Sequence, residues 1–277
     1  MIQKRVAQVQ SWLDAVEDDD RVHGYVNANG AVTGRMTHSS PNVAQVPAGS
    51  APYGKECREI WTVPAGYKLV GMDASGLELR MLAHYMNDEA YTNEILTGDI
   101  HTANQLAAGL ETRNQAKTFI YAFLYGAGDA KIGSIVGGTA KDGKRLKEKF
   151  LRNTPALRAL RERVSVAAGR GYVLGLDGRR VYVRSEHAAL NTLLQSAGAI
   201  VMKKALCLLD EYAKQYKIDY KFIGNIHDEI QTEVAEKDAD WFGKLATSCV
   251  EAAGSFFKLN CPLAGDYQVG DNWSQTH

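Results

Sequence analysis

Apolar and polar positions follow two rhythms along this chain. Ile2, Val6, Val9, Leu13 and Val16 recur at spacings of four and three, which predicts an amphipathic helix over residues 2–16. That helix stops in the acidic run EDDD, and its apolar stripe needs a cover. A Gly- and Pro-punctuated stretch follows over residues 23–54. Strand pieces fit inside it, and a loop-rich segment of this length is often functional. KLVGMD (68–73) reads as a buried strand, ASG as a turn and LELRMLAHYM as a helix. Further helices follow TGDIHTANQLAAG, start at Thr112 and cover the basic run 141–152. TPALRALRERV opens with Thr154 as N-cap and Pro155 at the first helical position. VLGLDGRRVYVRS predicts a hairpin turning at Asp-Gly. A long helix over 186–214, a hairpin around NIHDEIQTEV (225–234), a last helix near 238–257 and an irregular tail complete the pattern. These elements make a mixed α/β (α+β) protein, not a regular βαβ alternation.

Composition narrows the picture only a little. The 277 residues are 45% hydrophobic and 23% charged, with zero formal net charge. That fits one large globular domain or two smaller ones. Without a global basic signature, any nucleic-acid partner must be held by local patches. KDGKRLKEKFLR (141–152), with six basic residues against two acidic, is one such patch, and a solvated helix face has the same composition. Cys57, Cys207, Cys249 and Cys261 show no CxxC spacing, so neither zinc nor a disulfide framework is expected and a reducing compartment is the default. No apolar run is expected to span a membrane, and no signal-peptide pattern opens the chain.

The most informative helix is TRNQAKTFIYAFLYG (112–126). Thr112 and Gln115 have capping-box spacing, so the helix starts there. Arg113 and Lys117 then fall in the first two turns, where the macrodipole is already positive. With no acid nearby in sequence, an anion is expected to arrive from elsewhere, and a helix N-terminus carrying Arg and Lys suits phosphate. Arg113, Lys117, Tyr121 and Tyr125 recur every four residues, along about 18 Å at ~1.5 Å per residue. Ala116, Phe119, Ile120 and Phe123 occupy the opposite face. A triphosphate followed by sugar and base could lie along the first stripe. An ordinary amphipathic helix edged with tyrosines has the same spacing, and the pattern alone leaves both readings open. In the long helix, His187, Asn191 and Gln195 form a polar stripe at the same interval. Such a stripe suits minor-groove acceptors or a solvated edge.

Carboxylates supply the remaining signal. Asp73 ends the predicted buried strand, and Asp228 and Glu229 sit at a hairpin tip with nothing basic beside them in sequence. If the fold brings them together they repel, by about 4 kcal/mol for a 4 Å pair at an effective dielectric of 20. A shared proton or a divalent cation relieves that repulsion. Oxygen ligands with few His or Cys neighbours favour magnesium over zinc.

GMDASGLELRMLAH, RNQAKTFIYAFLYGAG and HDEIQ resemble the three polymerase motifs of family A DNA polymerases. Within that family they look like the replicative enzymes of T-odd short-tailed phages. GAVTGRMTHSSPN, GDIHTANQ and GLDGRRVYVRSEHAALNTLLQSAGA agree in order, so the resemblance covers nearly the whole chain. It implies a right-hand palm built on an antiparallel sheet, with helical fingers. The implied segments are a helix at the thumb–palm border (1–20), a first palm part (21–88), fingers (89–185) and a second palm part (186–277). It also implies two Mg2+ ions held by Asp73, Asp228 and the Ala74 carbonyl, with Glu229 assisting. Arg113, Lys117 and His101 would hold the incoming dNTP, with Lys117 also acting in catalysis on the leaving group's charge. Tyr121 would sit by the sugar, Tyr125 would stack at the templating position, and Glu78 would exclude a 2′-hydroxyl. Arg35, Asn191 and Gln195 would read the primer–template minor groove, with His187 and His227 near the primer strand. DNA synthesis from dNTPs is the implied reaction.

Family members are usually longer, with an exonuclease-like domain and a thumb before the palm. Both are expected to be absent from this chain, and a second polypeptide carrying them is the expected partner; a cloned fragment is the other possibility. The expected location is the cytoplasm, that of a bacterial host if the chain is phage-encoded. A non-catalytic DNA-binding or assembly subunit and a single-subunit RNA polymerase are the competing readings, and intact Asp73, Arg113, Lys117, Tyr121, Asp228 and Glu78 argue against them.

Overall fold

The computed structural model describes residues 2–277. In chain order the elements are α1 (Ile2–Leu13), β1 (Tyr25–Asn27), β2 (Thr37–Ser39), α2 (Gly54–Glu59), β3 (Tyr67–Ala74), α3 (Leu77–Met86) and α4 (Glu89–Leu96). Then follow α5 (Ile100–Ala108), α6 (Arg113–Leu124), α7 (Asp129–Ser134), α8 (Ala140–Asn153), α9 (Pro155–Ala168), β4 (Tyr172–Leu174) and β5 (Arg180–Tyr182). The chain continues through α10 (Ala189–Gln215), β6 (Tyr220–Ile226), β7 (Glu229–Ala235), α11 (Ala239–Phe256) and β8 (Gly265–Gly270). Contacts divide it into two compact units. The first comprises Met1–Ser75, Gly198–Phe257 and Leu263–His277, and the second Gly76–Ala197 with Lys258–Pro262. α3 and the start of α10 thus group with the middle of the chain, where the sequence expectation drew the finger segment at 89–185.

The first unit is organised by a four-stranded antiparallel sheet in the order β6-β7-β3-β8. Leu69, Val70 and Met72 of β3 are buried, as expected of a central strand covered on both faces. α11 packs across β3 and β8, burying Phe242, Ala246, Cys249 and Val250. Gly243 makes that approach possible, since a Cβ there would lie 2.1 Å from the Tyr267 ring. On β7, Glu233 is buried beneath two cations, with Arg21 and Lys221 each 2.8 Å from its carboxylate. Trp12 anchors α1 by packing with Val46, Cys57, Leu69 and Trp273. Burying an indole of this size contributes roughly 4–6 kcal/mol before entropy is counted. Most of the predicted apolar stripe is not covered: Ile2, Val6, Leu13 and Val16 stand exposed, while Val9 packs against the Trp12 cluster.

The second unit is helical, with a small hairpin formed by β4 and β5. Phe119, Phe123 and Phe150 form an aromatic trio, with both α6 rings edge-on to Phe150. Asp88 and Asp99 cap α4 and α5, each accepting a backbone N–H at 3.0 Å, as N-cap aspartates do.

Several sequence expectations are corrected or refined. The tail is not irregular, because GDYQVG forms β8 at a sheet edge. α4 was not foreseen. Thr154 stands at the N-cap of α9 with Pro155 behind it, as predicted, but its side chain makes no capping bond there; its hydroxyl donates to the Phe150 carbonyl of α8 at 2.7 Å. The Glu186–Gln215 helix is long and apolar enough, by length and composition, to cross a membrane. Most of its apolar stretch is buried within the protein, which a core helix shares with a membrane span.

Candidate active site

The sheet of the first unit brings the expected carboxylates together. β3 runs antiparallel between β7 and β8, so Asp73 stands opposite Glu229 on one side and Asp266 on the other. The Ala74 N–H donates to the Asp228 carbonyl at 3.0 Å, tying the β6–β7 turn to the end of β3. Only His227 and Asp228 lie between the paired residues Ile226 and Glu229. His227 takes a left-handed φ of 63°, a conformation tight hairpins need and non-glycine residues seldom adopt. Ser75 donates its hydroxyl to Asp266 at 2.8 Å.

The crowding acts on the Asp73 carboxyl even though water still reaches the residue. Burial first, then the negative charges of Asp228 and Glu229, push its carboxyl up to about 7. Such a group is short of a cation at neutral pH. Among the described residues no group of three or more His, Cys, Asp or Glu side chains is arranged to hold a metal ion. A magnesium site built on the Asp73–Asp228 pair therefore fits only with oxygens from the backbone, water and substrate phosphates. That donor set is one magnesium commonly accepts.

Glu229 does not sit at an exposed tip, as the sequence suggested. It opens β7 and is buried, at 4% exposure. Oε1 accepts from the Trp273 indole and the Gln231 amide, both at 2.6 Å. Oε2 meets His277 Nδ1 at 2.9 Å. Burial works against the charged form, but the bonds from His277, Gln231 and Trp273 outweigh it and hold the carboxyl below its ordinary range. The fold brings in basic groups that the local sequence lacks: His277, and Arg58, whose positive charge also acts on Glu229. Both lie far from Glu229 in sequence, so local spacing could not reveal them.

The second unit carries the expected cation stripe. Thr112 and Gln115 form the predicted capping box, and Ala116, Phe119, Ile120 and Phe123 are buried behind α6. Arg113, Lys117 and Tyr125 are exposed, and Tyr121 is half-buried. Arg113 already has a carboxylate partner, which the sequence reading missed. Asp99 accepts from its Nε at 2.6 Å and its Nη2 at 3.2 Å. The bond from Arg113 is the largest cause holding the Asp99 carboxyl far below its ordinary range. The signal was present in GDIH, where an aspartate precedes a helix, but nothing local pairs it with Arg113. His101 lies beside Tyr121, with ring centroids 6.4 Å apart. Burial first, then the charge of Arg113, lowers its pKa, so the ring is neutral at pH 7. The Tyr125 hydroxyl donates to Glu78 at 2.8 Å.

The expected DNA contacts fall in two places. In the first unit, Arg35 and His227 line one small cleft with Met36, Ala199, Met202, Lys203 and Asn225. In the second, Asn191 and Gln195 occupy successive turns of α10 and are half-buried, while exposed His187 lies in the 3-10 turn before it.

The family model described as DNA polymerase family A matches residues 2–275. The chain is 44% identical to the DNA-directed DNA polymerases of Enterobacteria phage T3 and Escherichia phage T7, over all of its own length and 45% of theirs. It thus spans about half the length of these curated relatives. DNA polymerase I of Pseudomonas aeruginosa is 28% identical over 93% of the chain and 30% of that protein. The fold resembles the POL domain of Pol1 from M. smegmatis, solved in complex with DNA primer-template and dNTP. That likeness has a TM-score of 0.88 at 25% identity, covering 98% of this chain and 51% of the other.

Proposed function

The chain belongs to DNA polymerase family A, and we propose that it carries the nucleotidyl-transfer centre of a template-directed DNA polymerase. The observation that carries this reading is the register placing Asp73 opposite Glu229 while Ala74 binds the Asp228 backbone. Charges forced together at a strand end are poor for stability and good for gathering divalent cations.

Asp73, Asp228 and the Ala74 carbonyl would hold two magnesium ions. When bound, magnesium supplies Lewis acidity toward the primer 3′-hydroxyl and the phosphates of the incoming dNTP. Arg113 and Lys117 bind the triphosphate and neutralise charge developing on the pyrophosphate leaving group. Neutral His101 adds a hydrogen bond rather than a charge. Tyr121 lies by the sugar and Tyr125 stacks at the templating position. Glu78, already tied to the Tyr125 hydroxyl, excludes a 2′-hydroxyl, so dNTPs are chosen over rNTPs. Arg35, Asn191 and Gln195 donate to the primer–template minor groove, whose acceptors change little between base pairs. His187 and His227 lie near the primer strand.

A thumb and an exonuclease domain act together with this part of the protein, on a second polypeptide or on the same one. The matched part is 45% of the length of the phage relatives, which leaves room in such proteins for further domains. Those relatives also favour action in a bacterial cytoplasm.

Primer extension with purified chain, dNTPs and magnesium tests the reading. Template-directed single-nucleotide addition is expected, abolished by D73N and by D228A. Undiminished extension in either variant overturns it.

A further inference from the structure

Arg58 is buried, at 6% exposure, in the last turn of α2. Its Nε donates to the Pro47 carbonyl at 2.9 Å, while its Nη1 has no hydrogen-bond partner among the described residues. A buried guanidinium with an unused donor is costly, so hydrogen bonding alone does not account for its place. What it does is cover a ring: its central carbon lies 4.7 Å from the Trp273 ring centroid. Trp273 in turn aims its indole N–H at Glu229 Oε1.

A second clamp closes on the same oxygen. Gln231 donates to Oε1, and the Thr276 hydroxyl donates to Gln231 Oε1 at 2.9 Å. That contact fixes which end of the amide faces Glu229. Gly71 stands opposite Gln231 on β3. A Cβ there would fall 2.4 Å from the Gln231 amide nitrogen and 2.2 Å from the Thr276 carbonyl. The glycine of LVGMD is therefore the space in which the clamp sits.

We infer that Arg58 is a positioning residue for nucleotidyl transfer. It braces Trp273, and Trp273 with the Gly71-accommodated Gln231 fixes the Glu229 carboxylate against Asp73. Glu229 then acts by occupying a set position, because Trp273, Gln231 and His277 already meet its oxygens. This rests on the reading of Asp73 and Asp228 as the reactive pair.

Indole N–H signals of the full chain give a readout independent of turnover. The sequence has four tryptophans, so W273F assigns the relevant peak. Wild type should show a downfield, slowly exchanging Trp273 N–H that moves in E229Q. R58L should speed its solvent exchange about tenfold, and R58K, which keeps charge but loses the planar stack, should not restore it. In single-nucleotide addition, R58L should lower kcat about tenfold with the dNTP KM changed less than twofold. R58L/E229Q should be no slower than E229Q alone, the non-additivity of residues acting through one contact. G71A, which disturbs the Gln231 clamp and leaves Arg58 in place, should give the same kinetic split, and the milder R58K carries the Trp273 exchange test if R58L does not fold. An unchanged Trp273 signal in R58L, or R58L and E229Q losses that simply multiply, overturns the inference. Full activity in D73N instead overturns the polymerase reading, and the indole result then still decides whether Arg58 braces Trp273.

Discussion

The two charged regions of this chain are built on opposite plans. Around Asp73 in the first unit, like charges are fixed together by strand register, and the neighbouring Glu229 is buried with its oxygens met. Along α6 in the second unit, cations stand exposed on a helix, and Arg113 is matched by a surface carboxylate. The first region holds its charges by the rigidity of a sheet. The second holds them by a local pairing that a stronger anion could replace. A centre that must shape a transition state needs the first kind, and a site that must accept and release a substrate needs the second.

Breaking the rigid region should have the largest effect. D228A or D73N is expected to lower the rate of single-nucleotide addition by about 10³ or more, the scale of losing a ligand that stabilises developing charge. Circular dichroism should stay unchanged, because both side chains stand at strand ends. A loss below tenfold would detach these carboxylates from the chemistry.

Breaking the exposed region should cost less. K117A is expected to lower kcat/KM for dNTP by roughly 10–100-fold, because water and remaining cations partly replace one exposed charge. Titrating dNTP at fixed primer–template separates a KM effect from a kcat effect. Equal sensitivity of K117A and D228A would erase the contrast between the regions.

The two plans also explain what the sequence disclosed. The α6 site was legible because its capping box and four-residue stripe are local, and the helix realises both. Asp73 was legible as a strand end, but its neighbours were not, since the β3–β7–β8 register joins distant segments. Asp266 was hidden because GDYQVG is short, glycine-bounded and polar, and so read as tail. Glu229 was misplaced because its strand, EIQTEVA, is buried on both faces. Gln231, Thr232 and Glu233 look solvated in sequence yet lie inside. Hydrophobic patterning cannot see a polar residue whose partners come from elsewhere, and Arg58 escaped for the same reason.

A subtler break in the rigid region is thermodynamic. The folded Asp73 carboxyl titrates at about 7 against an ordinary 3.8, with burial the largest cause and Asp228 next. Between those pH values the folded state binds more protons than the unfolded one, so stability falls as pH rises from about 4 to about 7. Water reaches this carboxylate, and screening reduces the effect to about 1–2 kcal/mol. At pH 8 without divalent cations, D73N should therefore melt a few degrees above wild type. Millimolar magnesium should raise the wild-type Tm and leave D73N nearly unmoved. A wild-type Tm independent of pH and magnesium would mean the charges are not strained together.

The smallest expected effect concerns the pairing that makes the second region exchangeable. Asp99 holds Arg113 by two hydrogen bonds while also capping α5 through the His101 N–H. D99N keeps a capping oxygen but removes the charge that competes with a triphosphate for Arg113. The dNTP KM should fall a few-fold at low salt and converge on wild type as ionic strength rises, since exposed charges are screened beyond about 10 Å at 0.1 M. The sign of the change is the informative part. A lower KM means Asp99 occupies the phosphate position until substrate displaces it. A higher KM means Asp99 orients Arg113 toward substrate, and the exposed region would then be preorganised much as the buried one is.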